Sequence, residues 1–178
     1  MARESTTKAS PRSRAAAMVE RHARDWRLIM ERILPIKNPK SFDSYHDSLT
    51  HHYVATVFYD ALKREISFAK REGNLVGVVK FVLPSKTSED QLLYFANELE
   101  FAVRQHDLIA RITSHEFAVL LRFDTEIISA CECLVKRIKN LERRNFHYGW
   151  VIADGTKGLA QVLEELDNPQ ILRLSKTL

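Results

Sequence analysis

A chain of 178 residues with 45% hydrophobic and 28% charged side chains has the size of one globular domain plus an extension. Its longest apolar runs (Ala15 to Val19, Leu75 to Val79, Phe117 to Leu121) are far too short to cross a bilayer. The basic amino terminus lacks an apolar core and a small-residue cleavage site, which argues against a secretory signal and makes the cytoplasm the expected compartment.

The formal charge of +4 is uneven: residues 1 to 40 carry ten Lys/Arg against four Asp/Glu, and the rest carry seventeen against nineteen. The basic surplus therefore belongs to an arm. Without interleaved aromatic residues that arm reads as a solvated tail, not as a nucleic-acid or membrane contact.

In chain order, residues 1–14 are polar and basic and are expected to be disordered. Residues 15–44 hold a helix and a linker. Val19, Trp26 and Ile33 recur seven apart with Ile29 between them, and Pro35 and Pro39 end the pattern. Two such heptads could pair with a second copy in a homodimer, but they are marginal for an independent coiled coil, so packing on the chain's own domain is favoured.

Regular structure is expected over 45–178. Val54, Val57, Phe58, Ala61, Leu62 and Ile66 predict a helix up to Gly73-Asn74, and "LVGVVKFVL" (75–83) predicts a central strand. Ser88 is a candidate cap for a helix carried by Leu92, Phe95, Leu99 and Val103. "DLIARITSHEFAVLL" (107–121) then predicts two strands around a turn at Thr113-Ser114-His115, where a tight hairpin usually has Gly, Asn or Asp. A helix through Ile127, Cys131, Leu134, Val135, Ile138 and Leu141, a strand "FHYGWVIAD" (146–154) and a short helix at Leu159–Leu166 complete the series.

Within 75–154 the order is β-α-β-β-α-β. That predicts an α+β fold with a ferredoxin-like core, an antiparallel sheet with helices mainly on one face. The end of the central strand and the hairpin tip should then meet, which is where a functional site is expected. Cys131 and Cys133 should diverge on a helix, so neither a disulfide nor a zinc set is expected. His46, His51 and His52 with Asp43 and Asp47 read as solvated linker residues rather than a metal cluster. Arg143-Arg144 suits a helix end, and Trp150 suits the core or a sheet face.

Element order and local strings together resemble the GGDEF (diguanylate cyclase) family over about residues 45–167. "HDSLTHHY" (46–53) is similar to that family's Asp-x-Leu-Thr entry to its first helix. "EDQLLYFANELEFAVRQHDLIARITSHEFAVLL" (89–121) is similar to its Gly-Asp-x-x-Leu helix, Arg-x-x-Asp, and Arg-x-Gly-Gly-Asp-Glu-Phe hairpin. The resemblance implies the nucleotidyl cyclase palm, preceded here by an amino-terminal helix. It also implies a site in which turn carboxylates and an Asp on the central strand hold magnesium against the GTP phosphates.

The residues of this chain depart from that site. Thr113-Ser114-His115-Glu116-Phe117 stands where the family has Gly-Gly-Asp-Glu-Phe. Thr113 and Ser114 add Cβ atoms where glycines let phosphates approach, and His115 puts a poor ligand for a hard cation in place of a carboxylate. Glu116 alone survives. Lys80 sits near the position of the family's strand Asp, Glu89 replaces the glycine before Asp90, and "PSKTS" leaves out the family's longer guanine-contacting segment. The resemblance therefore implies no cyclase activity and no metal or cofactor. Arg104-Gln105-His106-Asp107 does keep the family's Arg-x-x-Asp, five residues before the turn. In the family that spacing marks the inhibitory site, whose Arg and Asp bind cyclic di-GMP. Two functions remain open: an adaptor acting through a protein partner, and a cyclic di-GMP receptor using Arg104 and Asp107, both expected to be solvent-accessible. The alternative for that pair is an ion pair at a helix end.

Overall fold

A computed structural model describes residues 43–122, 126–142, 144–168 and 171–175. The expected basic tail and amino-terminal helix, and Arg143, lie outside the described residues.

Helix α1 (Ala55–Glu72) buries Phe58, Ala61, Leu62, Ile66 and Ala69, an apolar stripe at helical spacing. It ends as the sequence predicts, at Gly73, whose φ of 70° is left-handed and whose N–H donates to the Ala69 carbonyl. Strand β2 (Val76–Val82) is buried along nearly its whole length, as expected of a strand covered on both faces. Helix α2 (Glu89–Ala102) starts at Ser88 through a capping box. The Gln91 N–H donates to Ser88 Oγ, and the Ser88 N–H donates to Gln91 Oε1.

Strands β3 (Leu108–Arg111) and β4 (Glu116–Leu121) form the hairpin, followed by α3 (Ile127–Leu141), β5 (His147–Ala153) and α4 (Leu159–Asp167). Two-residue strands complete the sheet edges. They are β1 (Tyr53–Val54), parallel to β3, and β6 (Arg173–Leu174), antiparallel to β5. The sheet order is β1-β3-β4-β2-β5-β6. Its inner four strands, β3-β4-β2-β5, are antiparallel neighbours throughout, the ferredoxin-like arrangement expected.

One expectation needs correction. Helices α2 and α3 cover one face, where Phe81, Phe95 and Phe146 pack with ring centroids 5.7–5.8 Å apart. The opposite face is also covered, by α1 and α4, with Phe58, Leu62, Ile66, Val162 and Leu166 against Val76, Val78, Ala118, Leu120 and Val151. The β-α-β-β-α-β unit places its own two helices on one side. A β2 apolar on both faces requires a second layer, which the flanking helices supply.

Gly77 in β2 lets α3 approach. A Cβ there would lie 2.8 Å from Cys131 Sγ and 2.9 Å from Ile127 Cγ1. Cys131 is buried and Cys133 exposed, both free, as the divergence of their positions implied.

Candidate functional site

The hairpin tip meets the end of β2 as the topology predicts. Val82 pairs with Glu116, and the Leu83 N–H donates to the His115 carbonyl. Residues 112–115 form a four-residue loop closed by the Ile112 N–H on the Glu116 carbonyl at 2.8 Å. Among the described residues, left-handed φ occurs at His51, Gly73 and Gly155, so this loop uses none. That explains the absence of glycine: a four-residue loop can turn within the right-handed region, where Thr, Ser and His are unstrained.

Arg111, at the end of β3, braces the loop. Its guanidinium donates to the Ser114 carbonyl and, at 2.9 and 3.2 Å, to both carboxylate oxygens of Asp47. Asp47 also accepts from the Thr50 N–H and hydroxyl. Burial raises the Asp47 pKa, but these bonds outweigh it and hold the carboxyl below its usual range. Asp47 and Thr50, which in sequence mark a helix entry, thus belong to the support of the tip. Ser114 Oγ and His115 Nδ1 lie 2.8 Å apart at its exposed end.

The histidines near this entry go separate ways. His46 bonds Asp43 through Nδ1, whereas His52 turns inward and meets Phe117 edge-on. Burial holds the His52 pKa down to about 4, against a weaker upward pull from Asp47. His51 has a φ of 59°.

Lys80 lies beside the surviving turn carboxylate. It points to the α1/α4 side of β2 with its side chain 9% exposed, and its ammonium lies 3.4 Å from Glu116 Oε1 and 2.7 Å from Asp167 Oδ1. Burial lowers the Lys80 pKa, but the bond to Asp167 and the charge of Glu116 reverse that, so the net shift is upward and the amine stays charged. These residues do not fit magnesium. A permanent cation stands beside the one remaining turn carboxylate, and β2 offers no acid next to it.

At the other end of the hairpin, Arg104 lies just past α2 and Asp107 just before β3. Arg104 is exposed. The expectation that Asp107 would also be accessible is wrong, since its side chain is 3% exposed. One carboxylate oxygen accepts the Arg104 N–H at 3.1 Å and the other the Arg122 N–H at 3.3 Å, while the Asp107 N–H returns to the Arg104 carbonyl. A turn that brings two backbone donors inside needs a buried acceptor, and Asp107 is that acceptor.

Around it lies a depression of about 30 Å³ whose lining includes Arg104, Asp107, Arg122, Cys133 and Arg137. Arg137 donates to the Ala102 carbonyl and Arg122 to Glu65. Sequence reasoning missed Arg122 and Arg137. Neither belongs to a motif, and only the packing of α3 on α2 and the end of β4 brings them to Arg104.

No protein-family model and no curated protein matches the sequence. Among solved structures the fold is that of GGDEF domains. The GGDEF domain of YfiN (TpbB) from Pseudomonas aeruginosa is 21% identical with a TM-score of 0.60, over 69% of this chain and 84% of that one. The GGDEF domain of DgcB from Caulobacter crescentus, in complex with c-di-GMP, is 16% identical with a TM-score of 0.61, over 71% and 87%. The diguanylate cyclase SiaD from Pseudomonas aeruginosa, in complex with its activator SiaC, is 19% identical with a TM-score of 0.61, over 86% and 66%.

Proposed function

We propose that this chain is a non-catalytic, GGDEF-like regulatory or adaptor domain of the cytoplasm that works through contacts with a protein partner. The observation carrying this reading is the Lys80 ammonium, 3.4 Å from Glu116 and 2.7 Å from Asp167, near where the resemblance would place a metal-binding acid. Two-metal chemistry needs converging carboxylates free to bind the ions, and here the surviving one faces an amine. A partner-binding role agrees with SiaD, a protein of the same fold described in complex with its activator. Among the described residues no helix is long and apolar enough to cross a membrane. Purified protein given GTP with magnesium or manganese should make no cyclic di-GMP. Turnover abolished by Glu116→Ala overturns the reading, whereas turnover that survives it comes from a contaminating cyclase.

A second reading, a cyclic di-GMP receptor, is favoured by the gathering of Arg104, Arg122 and Arg137 around one depression. Guanidinium groups suit phosphate and the guanine O6/N7 edge. In this reading Arg104 contacts the ligand, and Asp107 shapes the turn that presents it. Calorimetric titration should then show micromolar or tighter binding, and Arg104→Ala should cost about 1.5–3 kcal/mol, roughly ten- to a hundredfold in affinity. Absence of binding at high ligand concentration rules the receptor out and leaves the adaptor.

A further inference from the structure

We propose that Lys80 is a resident cation: its ammonium joins the central strand, the hairpin and α4, near where the resemblance would place a metal-binding acid. The proposal goes beyond catalytic inactivity, because it says what holds this end of the sheet together.

Three elements converge on the amine. β2 supplies Lys80, the first residue of β4 supplies Glu116, and the last residue of α4 supplies Asp167, eighty-seven positions from Lys80 in sequence. The surroundings suit a lysine stem. Its neighbours across the sheet are Ala118 on β4 and Gly149 on β5; Ala118 is small, and Ile171 fills the space that a Cβ on Gly149 would take. The stem is buried while its tip reaches carboxylates that are 26% and 69% exposed, so the amine sits at the boundary between core and water. An ammonium is compact and strongly hydrated, and it can donate to two carboxylates at once.

Charge follows from the same arrangement. One positive and two negative groups leave the cluster at −1, which repels a triphosphate. Magnesium bound by acids alone would have attracted one. The link is covalently attached to β2, so it cannot be removed by a chelator and gains nothing from added ions.

Thermal melts of the full chain, with EDTA and with millimolar Mn²⁺, test this. Wild-type protein should melt at the same temperature in both. Lys80→Met leaves Glu116 and Asp167 without their shared cation, and its Tm should fall by roughly 3–6 °C, since both carboxylates can still reach water. Mn²⁺ should then recover part of that fall, and adding Asp167→Asn should abolish the recovery. If Lys80→Met melts with wild type, if Mn²⁺ does nothing for it, or if Mn²⁺ raises the wild-type Tm, the proposal is overturned. Should Lys80→Met not fold, Asp167→Asn carries the test. Its side chain is well exposed at a helix end, so a fall of roughly 2–4 °C is expected and no fall overturns the proposal. None of these outcomes bears on GTP turnover, which is assayed separately.

Discussion

At the tip of the β3–β4 hairpin, charged side chains answer one another across distant elements, whereas at its base the buried charge answers the backbone. The tip holds Lys80 between Glu116 and Asp167, and Arg111 against Asp47. Each of these groups is already engaged within the fold, and the balance at Lys80 is negative. At the base, Asp107 is taken up by two N–H groups, and three guanidinium groups stand around it with Glu65 on one of them. Two ends of one hairpin thus have opposite surpluses. Among these groups the tip has a net negative balance, and the base a net positive one. A motif that survives in sequence can survive for different reasons at each of its residues.

The sharpest way to probe the tip is pH. His52 packs beneath it on Phe117, with a pKa lowered from 6.5 to about 4. Between these values the unfolded chain binds the proton and the folded one does not. Stability is therefore complete above about pH 6.5 and falls as pH drops toward 4, by about 3 kcal/mol in total. Urea melts at pH 7 and 4.5 should show most of this loss in wild type and much less of it in His52→Leu. Equal losses in the two proteins would remove His52 from the account.

At the base, Asp107→Ala strands the Arg104 and Arg122 N–H groups and should cost about 2–3 kcal/mol in urea melts. The smallest effect is expected from Arg104→Ala, within about 0.5 kcal/mol, because its side chain is exposed and surface substitutions cost little. Similar losses for the two variants would mean that Arg104 and Asp107 act as a structural ion pair, and the contrast between the hairpin's ends would disappear.

Much of this was legible in advance. Strong periodicity gave α1, α2 and α3 and the long strands, and the turn was placed within a residue because Arg111 and Glu116 bracket a break in the apolar pattern. β1 and β6 were not foreseeable, since two residues carry no period and depend on the strand beside them. The second helical layer is implicit in a β2 apolar on both faces, but the helices that form it lie outside the β-α-β-β-α-β unit, whose own pattern says nothing of them. At the site, the substitution of Lys80 could be seen in sequence, whereas its partner Asp167 could not: no local rule links a strand residue to a helix end so far away. Asp107 illustrates the opposite failure. Its motif was visible, but an aspartate beside a turn can accept from a ligand or from the chain itself, and only the fold decides.

The pairing of β2 also constrains how the chain is made. Val79 finds one neighbour, Val119, forty positions later and the other, Trp150, after seventy-one. Loops that long close late, so the strand at the centre of the sheet is among the first translated and among the last to be completed. At ribosomal speeds of about 5–20 residues per second, β2 waits on the order of several seconds with an apolar edge exposed. During that interval the nascent chain is at its most prone to pair with the wrong strand, and chaperone capture should favour chains stalled between β4 and β5 over those released beyond Ala153.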